Sequence, residues 1–441
     1  MNITILGAGY VGLVTGGCLA ELGHVVTCVD IDAKKIDLLR QGECPVYEPG
    51  LASLLDREIR EENLFFTTDW SRSVPEAQVI FIAVGTPSSR RGEGYADTSY
   101  VYEAARRLAP YLKNYAVIVN KSTVPVGSAR QVGRIVHEAN PDAEFDIASN
   151  PEFLREGAAL YDFMHPDRII IGADSARAEE ILKQVYSPLY LLETPFVVTS
   201  PETAELIKYA SNAFLATKIS FINEVAQLCE MVGADVQDLA RGIGLDKRIG
   251  QKFLHSGPGY GGSCFPKDTM ALIRMAQEHG APIRIVESAV EANHAHKGRM
   301  VKKIHEALGL NGAGKTLGVL GMTFKPETDD MREAPSIAIL HALMEKGVKI
   351  KAHDPVGMEE AKKVLPEITY CADPYLTCEG ADAVCLITEW NSYRALDLAR
   401  IKASLRQPVF IDLRNVYHPG SMRQLGFNYY SVGRKTVYGQ G

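Results

Sequence analysis

The sequence predicts an α/β protein: two Rossmann-like, doubly wound parallel-sheet domains joined by a central all-helical region with a long connecting helix. Three observations carry this. Val- and Ile-rich runs alternate with helix-periodic stretches over the first 200 residues, the pattern of βαβ units and a parallel sheet. From about Pro201 to residue 312 the pattern is helical throughout. Finally, Lys315–Gly321 echoes Asn2–Gly7, and Val348–Asp354 echoes Val25–Asp30.

In chain order, strands are expected at Ile3–Leu6, Val25–Val29, Val79–Val84, Ala116–Asn120 and Ile169–Ile171, with helices at Val11–Leu22 and Ser99–Leu112 between them. Glu202–Gly233 follows with no internal Pro or Gly, which predicts one long helix. Further helices are expected at Val236–Arg241, Lys267–His279 and Ile285–Leu308, and beyond the echo at Ser336–Lys346. These boundaries divide the chain into domains at 1–200, 201–312 and 313–441. The third lacks a G-x-G-x-x-G, and about twelve residues separate Gly321 from its helix, so it is expected to bind something other than a dinucleotide. The polar end, Lys435–Gly441, is expected to be a mobile tail.

At 441 residues the chain is too long for one ordinary core. Its 46% hydrophobic and 23% charged residues are those of a globular protein, and no apolar run reaches the roughly 20 residues that cross a bilayer. A net charge of −7, spread along the chain, offers no basic stripe for a phosphate backbone, which argues against nucleic acid as a partner. The chain opens directly in a strand-like run, so a cytoplasmic location is expected. Eight cysteines form no Cys-x-x-Cys pair; most are expected to be reduced core residues, and no metal is expected. His294 and His296 face differently on a helix and are read as a polar helix face.

Gly7-Ala8-Gly9-Tyr10-Val11-Gly12 lies between a strand and a helix, and Asp30 ends the next strand. In that setting Gly7 permits the turn, Gly9 admits a pyrophosphate, and Gly12 lets helix and strand pack closely. Amides at the helix start then hold the phosphates. Asp30 accepts from ribose hydroxyls and repels a 2′-phosphate, which favours NAD over NADP. Lys35, one helical turn on, is open to steadying a ribose, meeting a phosphate or lying in solvent.

A second segment points to chemistry: Ser256-Gly257-Pro258-Gly259-Tyr260-Gly261-Gly262-Ser263-Cys264-Phe265-Pro266-Lys267-Asp268. The Gly-rich loop delivers Cys264 to a helix start, where the helix N-terminus and Lys267 both favour thiolate. A thiolate beside NAD suggests addition to an aldehyde, hydride loss and thioester hydrolysis. Lys208 and Asn212 share a helix face at i and i+4, a pair open to supporting an oxyanion or to forming a solvated polar face. Glu152 and Glu156, just after a strand, are candidates to activate water, with Asp268 a rival. Thr123 in Lys121-Ser122-Thr123-Val124-Pro125 is placed to hold a water or the nicotinamide group.

Through the segments Gly7–Gly12, Asn150–Gly157, Glu205–Ala213, Gly257–Asp268 and Phe324-Lys325-Pro326 with Arg332-Glu333, the sequence resembles the nucleotide-sugar dehydrogenases, the UDP-glucose/GDP-mannose dehydrogenase family, from Met1 to about Gly433. The resemblance implies a four-electron oxidation in which UDP-glucose, two NAD and water give UDP-glucuronate; GDP-mannose and UDP-N-acetylhexosamines are the sibling substrates. It makes Cys264 the nucleophile, Lys208 and Asn212 the oxyanion support, and Glu152 the residue that assists hydrolysis, with Asp268 and Thr123 ordering a water. It places cofactor contacts at Val11, Asp30, Lys35, Thr86, Thr123, Glu156, Lys267 and Arg332. For the sugar nucleotide it implies Glu152, Phe153, Leu154, Arg155 and Glu156, then Lys208 and Asn212, and the stretch Phe253, Leu254, His255, Ser256 and Gly257. Tyr260, Gly261 and Lys325 complete that pocket, and Arg248 corresponds to an arginine that reaches the neighbouring subunit's substrate, which implies a homodimer. The third domain then holds the UDP moiety. The sequence departs from the usual family wording at Ser88–Gly94.

Two rival readings remain open at this point: a two-electron hydroxyacid dehydrogenase that does without Cys264, and a non-catalytic NAD-binding protein that leaves Cys264 and Lys208 idle.

Overall fold

The structure is a computed structural model that describes residues 1–87, 94–309 and 312–439, with backbone alone at 190–192. Most of the divergent loop at Ser88–Gly94 therefore lies outside the described residues. The chain forms two compact units: Met1–Ser211 with Met270–Met275, and Asn212–Thr269 with Ala276–Gly441.

The first unit is built on eight strands: β1 (Asn2–Leu6), β2 (Val25–Val29), β3 (Leu64–Thr67), β4 (Val79–Ile82), β5 (Ala116–Asn120), β6 (Phe145–Ser149), β7 (Ile169–Ala173) and β8 (Phe196–Thr199). Their order is β3-β2-β1-β4-β5-β6-β7-β8. Every pair is parallel except β6 with β7, a departure from the wholly parallel sheet expected. The registers Leu6↔Val29, Leu6↔Ile82 and Ile82↔Asn120 align the carboxyl ends of the central strands, and chain order reverses between β1 and β4. That is where open α/β sheets bind ligands.

Helices cover both faces, and β4 shows it: Val79 and Phe81 pack into one buried cluster, Ile80 and Ile82 into another. A strand covered on both sides reads as a continuous apolar run, and fully burying a side chain such as Phe81 contributes about 1.5–3 kcal/mol.

In the second unit β9 (Thr316–Leu320), β10 (Lys349–His353), β11 (Thr369–Tyr370), β12 (Ala383–Leu386), β13 (Val409–Asp412) and β14 (Asn428–Ser431) form an all-parallel sheet. Its order, β11-β10-β9-β12-β13-β14, reproduces that of the first six strands of the other sheet, so the echo between the two ends of the chain extends to topology.

The helices that follow β8 and precede β9 in the chain run Pro201–Val232, Val236–Gly244, Phe265–Glu278 and Arg284–Ala307, each within a few residues of its expected bounds. The helix expected at Ser99–Leu112 instead ends at Leu108 and tightens into a 3₁₀ turn, Ala109–Tyr111, because Pro110 cannot continue the α-helical hydrogen bonds. Within the described part of the tail, Val437 is tied down, pairing with Tyr429 through two backbone hydrogen bonds of 2.8 and 3.1 Å. No disulfide joins any of the eight cysteines. Among the described residues no helix is long and apolar enough to cross a membrane, and no group of side chains has the makings of a metal site.

Candidate active site

The dinucleotide fingerprint folds as its glycines require. Gly7 follows β1 at φ +108°, and a Cβ there would lie 2.7 Å from the Ala83 carbonyl oxygen. A Cβ on Gly12 would fall 1.9 Å from the Gly7 carbonyl oxygen, so Gly12 is needed for the closeness of the turn itself. At Gly9 a Cβ would meet no protein atom within 4 Å, which leaves space for a ligand to approach the backbone. Gly9 caps the helix Tyr10–Glu21 with no side-chain acceptor, so the first-turn amides suit an anion.

Asp30, at the carboxyl end of β2, accepts from the Ala8 amide at 2.8 Å, the Asp32 amide at 3.0 Å and Lys35 Nζ at 3.0 Å. Burial raises its pKa, but these donors outweigh burial and hold it below the usual carboxylate range. Lys35, its side chain 30% exposed, is thus an ion-pair partner of Asp30. Thr86 Oγ1 donates to the Thr123 carbonyl at 2.9 Å, tying the loop after β4 to the loop after β5. These features fit a dinucleotide carrying free ribose hydroxyls.

The segment after β6 carries a buried ion pair. Lys208 Nζ, 3% exposed, donates to Glu152 Oε1 at 2.9 Å, and the Leu154 amide donates to Glu152 Oε2 at 2.6 Å. Burial pushes the Glu152 pKa up, yet Lys208, the Leu154 amide and Lys121 together keep it below its ordinary value. Phe153 stacks under two cations, Arg168 at 3.8 Å and Lys208 at 5.3 Å from the ring centroid. Arg155 points outward into a fork with Asp162 at 2.5–3.2 Å, so its side chain is engaged at the surface.

Two residues essential to this arrangement escaped sequence reasoning. Glu48, buried, accepts from the Gly157 and Ala159 amides at 2.6 and 2.7 Å and from Tyr10 OH at 2.5 Å, pinning the far end of the Glu152–Glu156 loop. Lys121 is buried, donates to Asn150 Oδ1 at 2.9 Å, and has its pKa pushed down to about 8, by burial first and by Lys208. Both reach their partners only through the fold.

In the second unit, Cys264 immediately precedes the helix Phe265–Glu278, and its carbonyl accepts the first helical bond, from the Asp268 amide, at 2.8 Å. The half-buried thiol lies 3.4 Å from Ser263 Oγ. Lys267 Nζ donates to Asp268 Oδ1 at 2.6 Å, and Asn212 Nδ2 donates to Asp268 Oδ2 at 2.6 Å. Lys267 is therefore paired with Asp268, and Cys264 stands at a helix N-terminus, a position that suits an anion. Asn212 sits one turn along the helix Pro201–Val232 from Lys208, as their spacing predicts.

The Gly-rich loop is clamped from several sides. Asn223 Oδ1 accepts from the Gly257 amide at 2.9 Å, and His296 Nε2 donates to the Gly257 carbonyl at 2.7 Å. Asn293 holds both the amide and the carbonyl of Tyr260, at 2.9 and 3.2 Å. Asn415, in a left-handed conformation at φ 56°, donates to Ser256 Oγ at 3.1 Å. His296, expected on a polar face, is instead buried, with its pKa pushed down to about 4 by burial; it is a neutral loop clamp. Phe253, at φ 66°, and Tyr260 flank Phe265 at centroid distances of 6.0 and 6.2 Å. Leu254 lies in the buried core, which leaves only its backbone to a ligand, whereas His255 is exposed.

The loop's glycines also serve packing. A Cβ on Gly261 would lie 2.1 Å from the Glu333 carbonyl oxygen, and one on Gly262 would enter the Phe324 ring at 2.7 Å. Gly261→Ala is expected to destabilise the protein by about 1–3 kcal/mol, the usual cost of overpacking, read as a lower denaturant midpoint; an unchanged midpoint would show that the Glu333 turn yields freely. Lys325 Nζ lies 5.2 Å from the Phe324 ring centroid, while Arg332 forks onto Asp330 at 2.8 Å and Arg248 onto Asp246 at 2.6 Å, both at exposed positions.

The echo of the fingerprint has been turned to another use. Gly321 follows β9 at φ +82° as Gly7 follows β1. Asp354 stands where Asp30 does, but it is fully buried and accepts from Met322, Thr323, Val356 and Gly357 amides at 2.7–3.2 Å and from Trp390 Nε1 at 3.3 Å.

Comparison with known proteins agrees along the whole chain. Models of the UDP-glucose/GDP-mannose dehydrogenase family match in three parts: its NAD binding domain at residues 1–190, its central domain at 202–295 and its UDP binding domain at 318–419. A UDP-glucose 6-dehydrogenase of Rhizobium meliloti is 54% identical over 98% of this chain and 100% of its own length. UDP-glucose 6-dehydrogenase TuaD of Bacillus subtilis is 46% identical over 99% and 94%. Among solved structures, a UDP-glucose dehydrogenase from Pyrobaculum islandicum superposes with a TM-score of 0.88 at 40% identity, covering 94% of both chains.

Proposed function

Because this chain belongs to the UDP-glucose/GDP-mannose dehydrogenase family, NAD-dependent oxidoreductases of nucleotide sugars, we propose that it oxidises UDP-glucose to UDP-glucuronate in two steps through Cys264. The observation that carries this reading is a thiol at a helix N-terminus in a chain that also holds a buried Lys208–Glu152 ion pair of 2.9 Å. A two-electron alcohol oxidation needs no nucleophile. The near-full-length identity to UDP-glucose 6-dehydrogenases supports the choice of sugar.

Gly7, Gly9, Gly12 and Asp30 would hold NAD, one molecule for each oxidation, and when bound it would supply the hydride acceptor. Cys264 attacks the aldehyde carbon, and the C–S bond formed converts the carbonyl to a thiohemiacetal whose oxygen is supported by Lys208 and Asn212. After the second hydride leaves, the thioester is cleaved by water: the C–O bond forms, the C–S bond breaks, and the thiolate returns to Cys264. Glu152, kept ionised by Lys208, is the acceptor for the proton lost by that water, with Asp268 and Thr123 as its positioning partners.

The chain divides functionally into a cofactor domain at 1–200, a central helical domain at 201–312 and a UDP-binding domain at 313–441. The match of residues 318–419 to the family's UDP binding domain supports the last assignment, and Asp354, saturated by protein donors, does not repeat the part that Asp30 plays in the first domain. A homodimer through the central helices is supported by Phe214, Phe221 and Leu228, exposed at seven-residue intervals along the helix Pro201–Val232. Such a stripe is a seam for a second helix.

Purified protein given limiting UDP-glucose and excess NAD is expected to release two NADH per sugar, counted by absorbance. One NADH per sugar, or a higher kcat/KM with GDP-mannose or a UDP-N-acetylhexosamine, overturns the assignment.

A further inference from the structure

Asn120 closes β5 at the ligand-binding edge of the first sheet. It is 2% exposed, and neither its Oδ1 nor its Nδ2 has a hydrogen-bond partner. Buried carboxamides are almost always paired, so a doubly unpaired one needs an explanation. It lines a small cavity together with Ser122, Thr123, Ser149, Glu205 and Lys208, with room of about 10 Å³ for the centre of a water-sized sphere. That is close to the space one water requires, and far less than a sugar or a nicotinamide ring needs.

The walls supply what a water needs. Lys208 is a donor, and Asn120 offers two N–H donors and an acceptor oxygen. Glu205, three residues before Lys208 on the same helix, has Oε2 on the Gly127 amide at 2.6 Å and Oε1 on the Ala129 amide at 2.8 Å and Ser149 Oγ at 3.2 Å. Those contacts make Glu205 the carboxylate cap of the helix Ser128–Ala139, which follows the Thr123 loop. Ser122 Oγ donates its proton to the Val84 carbonyl at 2.6 Å, so its oxygen can only accept in the cavity.

We propose that this cavity binds one ordered water, held by the Asn120 carboxamide, that bridges Lys208 to the Glu205 cap. Asn120 is then a positioning residue: through the water it fixes the Lys208 ammonium against Glu152 and couples the lysine to the loop carrying Thr123. The water accepts from Lys208 and Asn120 Nδ2 and donates to Asn120 Oδ1 and Glu205, which gives each polar atom of the buried amide a partner and uses all four hydrogen-bonding positions of the water. The kinetic consequence rests on the two-step dehydrogenase reading; the binding site itself does not.

Crystals of the wild-type protein without ligands, at a resolution that shows ordered water, are expected to carry a density peak roughly 2.7–3.2 Å from both Asn120 Oδ1 and Nδ2. Asn120→Leu, near in shape but apolar, is expected to lose the peak and lower kcat roughly 10- to 100-fold, as small displacements of a catalytic group do, with KM for UDP-glucose unchanged. Asn120→Ser, which keeps a hydrogen-bonding group, is expected to retain the peak and recover most of kcat. Absence of the wild-type peak overturns the proposal, as do equal kcat values in the two variants or an effect confined to KM. If the leucine variant does not fold, the wild-type density and the serine variant decide. A wild-type protein that carries the peak but reduces no NAD with any nucleotide sugar refutes the functional reading and leaves the water site standing.

Discussion

Cys264→Ser is expected to lower steady-state NADH formation by about 10,000-fold or more, the scale on which removing a covalent nucleophile acts. A serine hydroxyl at a helix N-terminus stays protonated at neutral pH, whereas a thiol in the same place is readily ionised. The substitution is nearly isosteric at a half-buried position, so the fold should hold and the denaturant midpoint should stay within about 0.5 kcal/mol of wild type. In a single turnover the variant is expected to produce at most one NADH per sugar, because the first oxidation does not need sulfur and the second does. A variant that retains more than a tenth of wild-type turnover, or still yields two NADH, refutes the covalent route and favours a two-electron dehydrogenase.

Lys208→Met is expected to damage both stability and rate. Breaking a buried ion pair by removing one partner costs about 3–5 kcal/mol, and the lower end applies because Lys121 still acts on Glu152. Loss of an oxyanion donor adds roughly 100- to 1000-fold in kcat.

The pH dependence follows from the direction of the Glu152 shift. Its folded pKa is held below the usual value, so its contribution to stability is present above the unfolded value, about 4.3, and is lost as pH falls through the lower folded value. Wild-type protein should therefore lose stability through that acid window. The Lys208→Met variant, with Glu152 closer to neutral in the folded state, should show a flatter acid dependence between about pH 7 and about pH 3. Denaturant midpoints measured at the two pH values check this; parallel losses in both proteins refute the role given to the pair.

Much of the framework is legible in the sequence because local chemistry specifies it. The strand–glycine–helix grammar places Gly7, Gly12 and Asp30 without knowledge of anything distant, and the uninterrupted run after Pro201 gives the long helix to within a residue or two. β3 and β6 are less visible. Leu64–Thr67 is only four residues long, and Phe145–Ser149 carries Asp146, whose carboxylate is drawn to Tyr115 OH at 2.6 Å, which spoils the apolar run.

The candidate side chains Cys264, Lys208, Glu152 and Asp268 stand out in the sequence because each lies in a compact segment. What holds them does not. Glu48 is 109 residues from the amide of Gly157 that it pins, and Asn223 and His296 reach Gly257 across 34 and 39 residues. No window along the chain connects such pairs; only the sheet order and the helix packing do.

The two aspartates that end β2 and β10 set a limit on what protein engineering can borrow between the halves. Asp30 lends a backbone-anchored carboxylate to the outside, with Lys35 as its side-chain partner, whereas Asp354 has become a rivet that fastens five donors of its own half. Transplanting the glycine fingerprint onto Gly321–Pro326 would thus not create a second dinucleotide site: the receptor for the ribose is already spent on the fold, and freeing it would unfasten the turn that presents it.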